Sequence, residues 1–197
     1  MWSPTSPGVV FCSLNLDKIP VVNILTEIYR SAGINVKGKT IYRTAVRGVI
    51  LRERNLLMVY SSNVGDYKFP GGGVTDRETH VQALSREIQE ECGISVTHIG
   101  MEIGVVIEYD FAVESELDTF KMTSHYYQCE VQDGFGIQKL DEYEQELGFK
   151  PIWIEIDKAI QFNKALLDSD KTPEWLQREI FVLEYIQQNL LPSLDNT

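Results

Sequence analysis

Apolar residues at Ile19, Val22, Leu25 and Ile28 recur every third position, a spacing that predicts a helix within Lys18–Ser31. Gly33 and Gly38 end that pattern, and β-branched residues then dominate. Ile41–Arg52 predicts a strand, Leu56–Ser61 a second one after a tight connection at Glu53–Asn55, and Tyr67–Phe69 a short third. From Glu78 to Cys92 the period becomes helical, with no Pro or Gly inside and Gly93 placed as a stop. Ile94–Phe111 and Thr119–Val131 predict strands joined by the acidic loop Val113–Asp118, and Pro151–Ile156 a last strand. Asp157–Leu167 and Pro173–Leu190 predict helices, the second with Thr172 as its cap and Pro173 in its first position. The layout is mixed α/β.

Length and composition narrow this picture. A chain of 197 residues that is 43% hydrophobic can bury one sizeable core. The expected division is an N-terminal extension with a short helix (residues 1–38) and one domain with its C-terminal helices (residues 39–197). No stretch approaches the roughly 18 apolar residues of a membrane span. The apolar patch Val9–Cys12 is too short, and lacks the preceding basic residue, for a secretory signal. The expectation is therefore a cytoplasmic protein without membrane contact. Cys12, Cys92 and Cys129 are odd in number and far apart, which suits reduced, buried thiols. A net charge of −11 opposes binding to a nucleic acid polymer, whose affinity comes mostly from Lys and Arg on phosphates. A small phosphorylated ligand stays open, because a divalent cation can bridge carboxylates to phosphates.

Clustered carboxylates are present in Phe69–Ile94, FPGGGVTDRETHVQALSREIQEECGI. At about 100° per residue, Glu87, Glu90 and Glu91 fall within one arc of roughly 100° on the helix. Val81, Leu84, Ile88 and Cys92 occupy a neighbouring arc, so the helix can pack on a sheet while its acidic stripe faces a groove. Taken alone, such a stripe is more simply a solvated face. The run Gly71–Gly73 just before it changes that reading, because backbone without side chains can approach a ligand closely.

This segment resembles the Nudix box. The family pattern is a Gly, five residues, a Glu, seven residues, Arg-Glu, an aliphatic, one residue, Glu-Glu, one residue, Gly and an aliphatic. Gly72, Glu78, Arg86, Glu87, Ile88, Glu90, Glu91, Gly93 and Ile94 fill every position. At roughly 7% usage per residue type, the non-aliphatic matches would arise by chance on the order of once in a million such chains. Thr75 and Arg77 stand where Glu and Gly are frequent in the family.

The resemblance implies an α/β/α sandwich with a mixed sheet, and a pyrophosphohydrolase in which water attacks a phosphorus of a nucleoside diphosphate linked to another group. It implies Mg2+, with Mn2+ as the alternative ion, held by Glu87, Glu90, Glu91 and the backbone carbonyl of Gly71. Arg86 would orient Glu87, and Glu78 would pair within the loop–helix unit. The general base varies across the family. Glu142, Glu144 and Glu146 lie where a later carboxylate is often supplied, and Glu144 is the favoured candidate, with a solvated acidic turn as the plainer reading.

Outside the box the resemblance covers roughly residues 41–159. Arg43 and Arg47 alternate on the first strand and could reach phosphates, against an exposed strand face. Tyr42, Tyr67, Phe69, Tyr126 and Trp153 are candidates to stack on a base, although packing explains each more simply. His80, His98 and His125 receive no role. The substrate stays open among nucleoside triphosphates, nucleotide-sugars and dinucleotides, and a homodimer stays open too. A non-catalytic nucleotide-binding module is the alternative, weakened by the retention of every box carboxylate. RNA decapping ranks lower for want of a basic surface.

Overall fold

Strand β4 (Asn55–Ser61) shows how the layers arise. In the computed structural model, which describes residues 22–169 and 172–191, its side chains alternate between two cores. Leu56 and Met58 join a cluster with Ile156, Ala159, Ile160, Val182, Leu183 and Ile186. Leu57 and Val59 join another with Ala83, Leu84, Ile88 and Cys92. Because a strand presents successive residues to opposite faces, four consecutive apolar residues can serve helices on both sides. The result is an α/β/α sandwich.

The elements that precede and follow it are β1 (Ile24–Tyr29), β2 (Thr40–Val49), β3 (Leu51–Arg52), β5 (Tyr67–Lys68), α1 (His80–Cys92), β6 (Val96–Phe111), β7 (Thr119–Val131), α2 (Glu142–Leu147), β8 (Phe149–Glu155), α3 (Ile156–Ala165) and α4 (Leu176–Asn189). One sheet has the order β1-β6-β7-β2 and is mixed: β1 runs parallel to β6 and β2 parallel to β7, whereas β6 and β7 are antiparallel. The other, antiparallel, pairs β4 with β3, β5 and β8. Helix α1 covers one face, while α3 and α4 cover the other.

Three expectations are corrected. The helix anticipated within Lys18–Ser31 is a strand over Ile24–Tyr29; residues 18–21 lie outside the described residues. Ile24, Leu25 and Ile28 satisfy a helical spacing, but the 16-residue β6 presents an edge that takes a partner. The fit is close: a Cβ on Gly104 would lie 2.6 Å from the Asn23 carbonyl. Helix α4 begins at Leu176, not Pro173, and Thr172 does not cap it; its hydroxyl points back to the carbonyls of Leu166, Leu167 and Ser169, each within hydrogen-bond distance of its one proton donor. The acidic run Glu142–Leu147 forms a short helix, capped by Asp141, whose side chain accepts from the Glu144 amide at 2.8 Å.

Helix α1 has the strongest local instructions. Thr79 and Gln82 form a reciprocal capping box, and Gly93 closes the helix in the left-handed conformation, φ 65°. Ala83 rather than Val81 completes its buried stripe, since Val81 is 56% exposed. Gly48 lets the helix approach β2, because a Cβ there would sit 2.8 Å from Ile88 Cδ1. Cys92 and Cys129 are buried free thiols, as expected; Cys12 lies outside the described residues.

Candidate active site

The site begins where two-residue β5 leads into the glycine run. Asn163 of α3 accepts from the Tyr67 amide and donates to the Tyr67 carbonyl, both at 2.9 Å, and Glu179 of α4 accepts from the Phe69 amide at 3.0 Å. The C-terminal helices thus replace a neighbouring strand for this segment. On its other side the loop follows β2: Gly48 donates to Pro70, Val46 to Gly72, and Val74 to Thr44. Gly71 has φ 136°, and a Cβ on it would lie 2.1 Å from the Val46 carbonyl, so both conformation and space require glycine. A Cβ on Gly72 would lie 2.4 Å from Glu87 Cδ, so its absence makes room for that carboxylate.

Arg86 organises the acidic stripe. Its guanidinium donates to both oxygens of Glu78 at 2.9 Å, to Glu87 at 2.8 Å, to Glu90 at 3.1 Å and to the Gly73 carbonyl at 3.2 Å. The planar fork offers five donors, and these contacts spend them on loop and helix together. Glu78 also accepts from the amide and hydroxyl of Thr75, at 3.1 and 2.9 Å. Thr75, a departure from the commoner Glu, is therefore used. The hydrogen bonds from Arg86 and then Thr75 pull the Glu78 carboxyl down to about 2.

Glu91 has a different setting. It is buried, 3% exposed, and accepts from the Gly71 amide at 2.6 Å. Burial raises its carboxyl to about 7, with Lys68, the Gly71 hydrogen bond and Arg47 acting in the opposite direction. Arg47 donates through Nη1 to the Gly71 carbonyl, the atom that the resemblance assigns to a metal. Its charge therefore lies on the glycine loop.

These groups line a cavity of about 840 Å3, within the size range of small-molecule sites. The structure brings together there Arg43, Arg47, Gly71, Arg86, Glu87, Glu90, Glu91 and Glu144. Glu144 Oε2 accepts from the Asp141 amide at 2.9 Å, and burial raises its carboxyl above the usual value. Phe69 is not among them: it is fully buried, edge-on to Tyr126 at 5.6 Å, and so belongs to the core rather than to a ligand. Tyr42, Tyr67, Tyr126 and Trp153 do not line the cavity either. Trp153 instead stacks under Arg52.

The rest of the lining escaped the sequence reading. It includes Arg30, Lys68, Phe111, Phe120, Trp175 and Arg178. Behind it lies a buried ion cluster in which Arg178 meets Glu108 at 2.6 Å and Glu179 at 2.7 Å, and Arg30 meets Glu108 at 2.9 Å. One sequence signal exists for it: Glu179 falls on the apolar stripe Leu176, Ile180, Leu183 and Ile186, where a carboxylate requires a partner.

Residues 41–176 match the NUDIX domain family, well over half of the chain. The chain belongs to the NUDIX family. An 8-oxo-dGTP diphosphatase of Proteus vulgaris is 46% identical over 55 residues, a match spanning 25% of this chain and 49% of that protein. The chain thus spans about half the length of this curated relative. The solution structure of the E. coli ORF135 protein superposes with a TM-score of 0.50 at 19% identity, covering 78% of this chain and 96% of that one, which shows a shared fold. A NUDIX hydrolase from Nitrosomonas europaea matches at a TM-score of 0.49 and 20% identity, covering 80% and 100%.

The residues are chemically suited to a hard divalent cation, since Glu87, Glu90 and Glu91 line one cavity with Gly71 and a Cβ on Gly72 would obstruct Glu87, although the Gly71 carbonyl here accepts from Arg47. Among the described residues no three side chains of His, Cys, Asp or Glu converge closely enough to form a metal site by themselves. The reason is visible in the contacts: Arg86 holds Glu87 and Glu90, and the Gly71 amide holds Glu91. The histidines lie outside the cavity. His80 meets the Tyr127 hydroxyl and His125 meets Glu102, each at 2.7 Å. No described helix is long and apolar enough to cross a membrane.

Proposed function

We propose that the chain is a divalent-cation-dependent hydrolase that cleaves a phosphoanhydride bond of a nucleoside diphosphate linked to another group, with nucleoside triphosphates of the 8-oxo-dGTP kind the first substrates to try. The observation that carries this is that Glu87, Glu90 and Glu91 line one cavity with the Gly71–Gly73 backbone, Arg86 holding Glu87 and Glu90 and the Gly71 amide holding Glu91. The partial match to an 8-oxo-dGTP diphosphatase supports the choice of substrate.

Glu87, Glu90, Glu91 and the Gly71 carbonyl would hold Mg2+, or Mn2+ in its place. When bound, the ion supplies charge neutralisation on the phosphates and acidifies water. Arg86 keeps Glu87 and Glu90 oriented, so that little reorganisation remains when substrate enters. Arg47 and Arg43 face the same cavity and suit the phosphate oxygens. Glu144 lines the same cavity and is the group we assign to receive a proton from water, one of its oxygens steadied by the Asp141 amide. The substrate is a small nucleotide and not a polymer, in keeping with the charge of −11.

The test is turnover of 8-oxo-dGTP, other nucleoside triphosphates, nucleotide-sugars and dinucleotides, with and without Mg2+, beside Glu90→Gln. The expected outcome is cation-dependent release of a nucleoside monophosphate that falls in Glu90→Gln by more than the roughly 10–100-fold typical of supporting residues. Tight nucleotide binding with no turnover above that variant would replace the hydrolase with a binding module.

A further inference from the structure

The cations that line the cavity differ in what already occupies them. Arg30, Arg86 and Arg178 each lie within 4.0 Å of carboxylates, and Arg47 donates to the Gly71 carbonyl. Arg43 and Lys139 are exposed, so water solvates them. Lys68 is different: the residue is only 8% exposed, its ammonium opens to the cavity it lines, and among the described residues no carboxylate lies within 4.0 Å of that ammonium and no acceptor takes a hydrogen bond from it.

Its neighbours are aromatic faces. Nζ sits 3.7 Å from the centre of the Phe149 ring and 5.0 Å from that of Trp175. Both rings are anchored. Trp175 Nε1 donates to Asp66 at 2.7 Å, and Phe149 is buried at the start of β8. Ring faces attract a cation but offer no lone pair, so the three N–H donors remain unused. Holding an ammonium in a largely buried slot without hydrogen-bond acceptors is costly, and here burial depresses its pKa and Arg47 reinforces that shift, while Glu91, Glu179 and Asp66 oppose it. A folded protein that retains such a group gains most from an anion brought in from outside.

We propose that Lys68, held between Phe149 and Trp175, is an anion subsite that seats one phosphate group of the substrate. This rests on the hydrolase reading above, because the same cavity must hold a di- or triphosphate. Lys68 lies three residues before Gly71, so a phosphate on its ammonium is also placed beside the glycine loop and the acidic stripe. Arg43 and Arg47 reach the same cavity from β2, so Lys68 adds a third cation, carried by β5, to those available to the phosphates.

Inorganic pyrophosphate is the probe, titrated calorimetrically into wild type, Lys68→Met and Lys68→Gln, with urea unfolding midpoints taken on each free protein. The two neutral variants should bind pyrophosphate about tenfold or more weakly, as loss of a charged hydrogen bond implies, and should unfold at higher urea than wild type. A lysine that merely fills the slot would give the reverse: unchanged affinity and a lowered midpoint, or no fold in either variant, and any of these overturns the proposal. Absence of pyrophosphate binding to wild type overturns it as well. Nucleotide turnover against Glu90→Gln remains the separate judge of the hydrolase reading, so the two can fail independently.

Discussion

Every polar contact of Arg86 is with a residue no more than 13 positions away, whereas Arg178 ties β6 to α4 across 70. These two arginines line one cavity. The Arg86 wall is a single loop and helix whose caps, glycines and carboxylates follow one another in sequence. The Arg178 wall is gathered from the end of β1, from β5, β6 and β7 and from α4, and its buried charges meet only once the sandwich has formed. A local unit can therefore be spoiled without loss of the fold, while the dispersed wall and the fold stand or fall together.

The sharpest way to break this comparison is Arg178→Met. Arg178 is 2% exposed, and its removal leaves Glu108 and Glu179 buried, with Arg30 alone facing Glu108. Stranding buried carboxylates costs about 3–5 kcal/mol, which urea unfolding should register as a large drop in midpoint. Since Glu179 also holds the Phe69 amide, activity should fall with the fold and not before it. Neutralising the partners too, with Glu108→Gln and Glu179→Gln, should return part of the loss.

Arg86→Lys tests the other wall. A lysine keeps the charge but cannot span Glu78, Glu87, Glu90 and the Gly73 carbonyl at once. The expected outcome is a fall of about 10–100-fold in kcat/KM with a change in stability below about 1 kcal/mol. An equal loss of stability and activity would mean that the box unit also is coupled to the whole fold.

The same contrast explains what could be read from the chain alone. Strands β2, β4, β6, β7 and β8 and helix α1 follow from period and stop signals, and Glu87, Glu90 and Glu91 from their helical spacing. Strand β1 was misread because Leu25 and Ile28, three apart, fit a helical period and not the alternation of a regular strand; a register shift between Ile24 and Thr26 accompanies the packing of both on one core, and only the pairing with β6 reveals it. Helix α2 was missed because Asp141 and Glu144 form a capping box inside a run whose acidity suggested a solvated turn. Phe69 seemed available because it adjoins the glycine run, yet its ring turns away to Tyr126. The Lys68 slot depends on Phe149 and Trp175, 81 and 107 positions further along, and no spacing rule connects them.

The smallest expected effect concerns the outermost link of the box, Glu78, and acid removes it. Its carboxyl is held at about 2, against an ordinary 4.5, by Arg86 and Thr75. A depressed carboxyl favours the folded state wherever the unfolded chain would be ionised, so the contribution is complete above about 4.5 and is lost as pH falls through about 2. Glu78→Gln lacks it at every pH. Urea midpoints of wild type and Glu78→Gln should therefore differ by a constant amount at neutral pH and converge between pH 4.5 and 2. Added salt should narrow the gap, because the pair lies at the rim where solvent screens it. A gap that persisted at pH 2 would assign the role of Glu78 to packing, and Arg86 would then owe its orientation to Glu87, Glu90 and Gly73 alone.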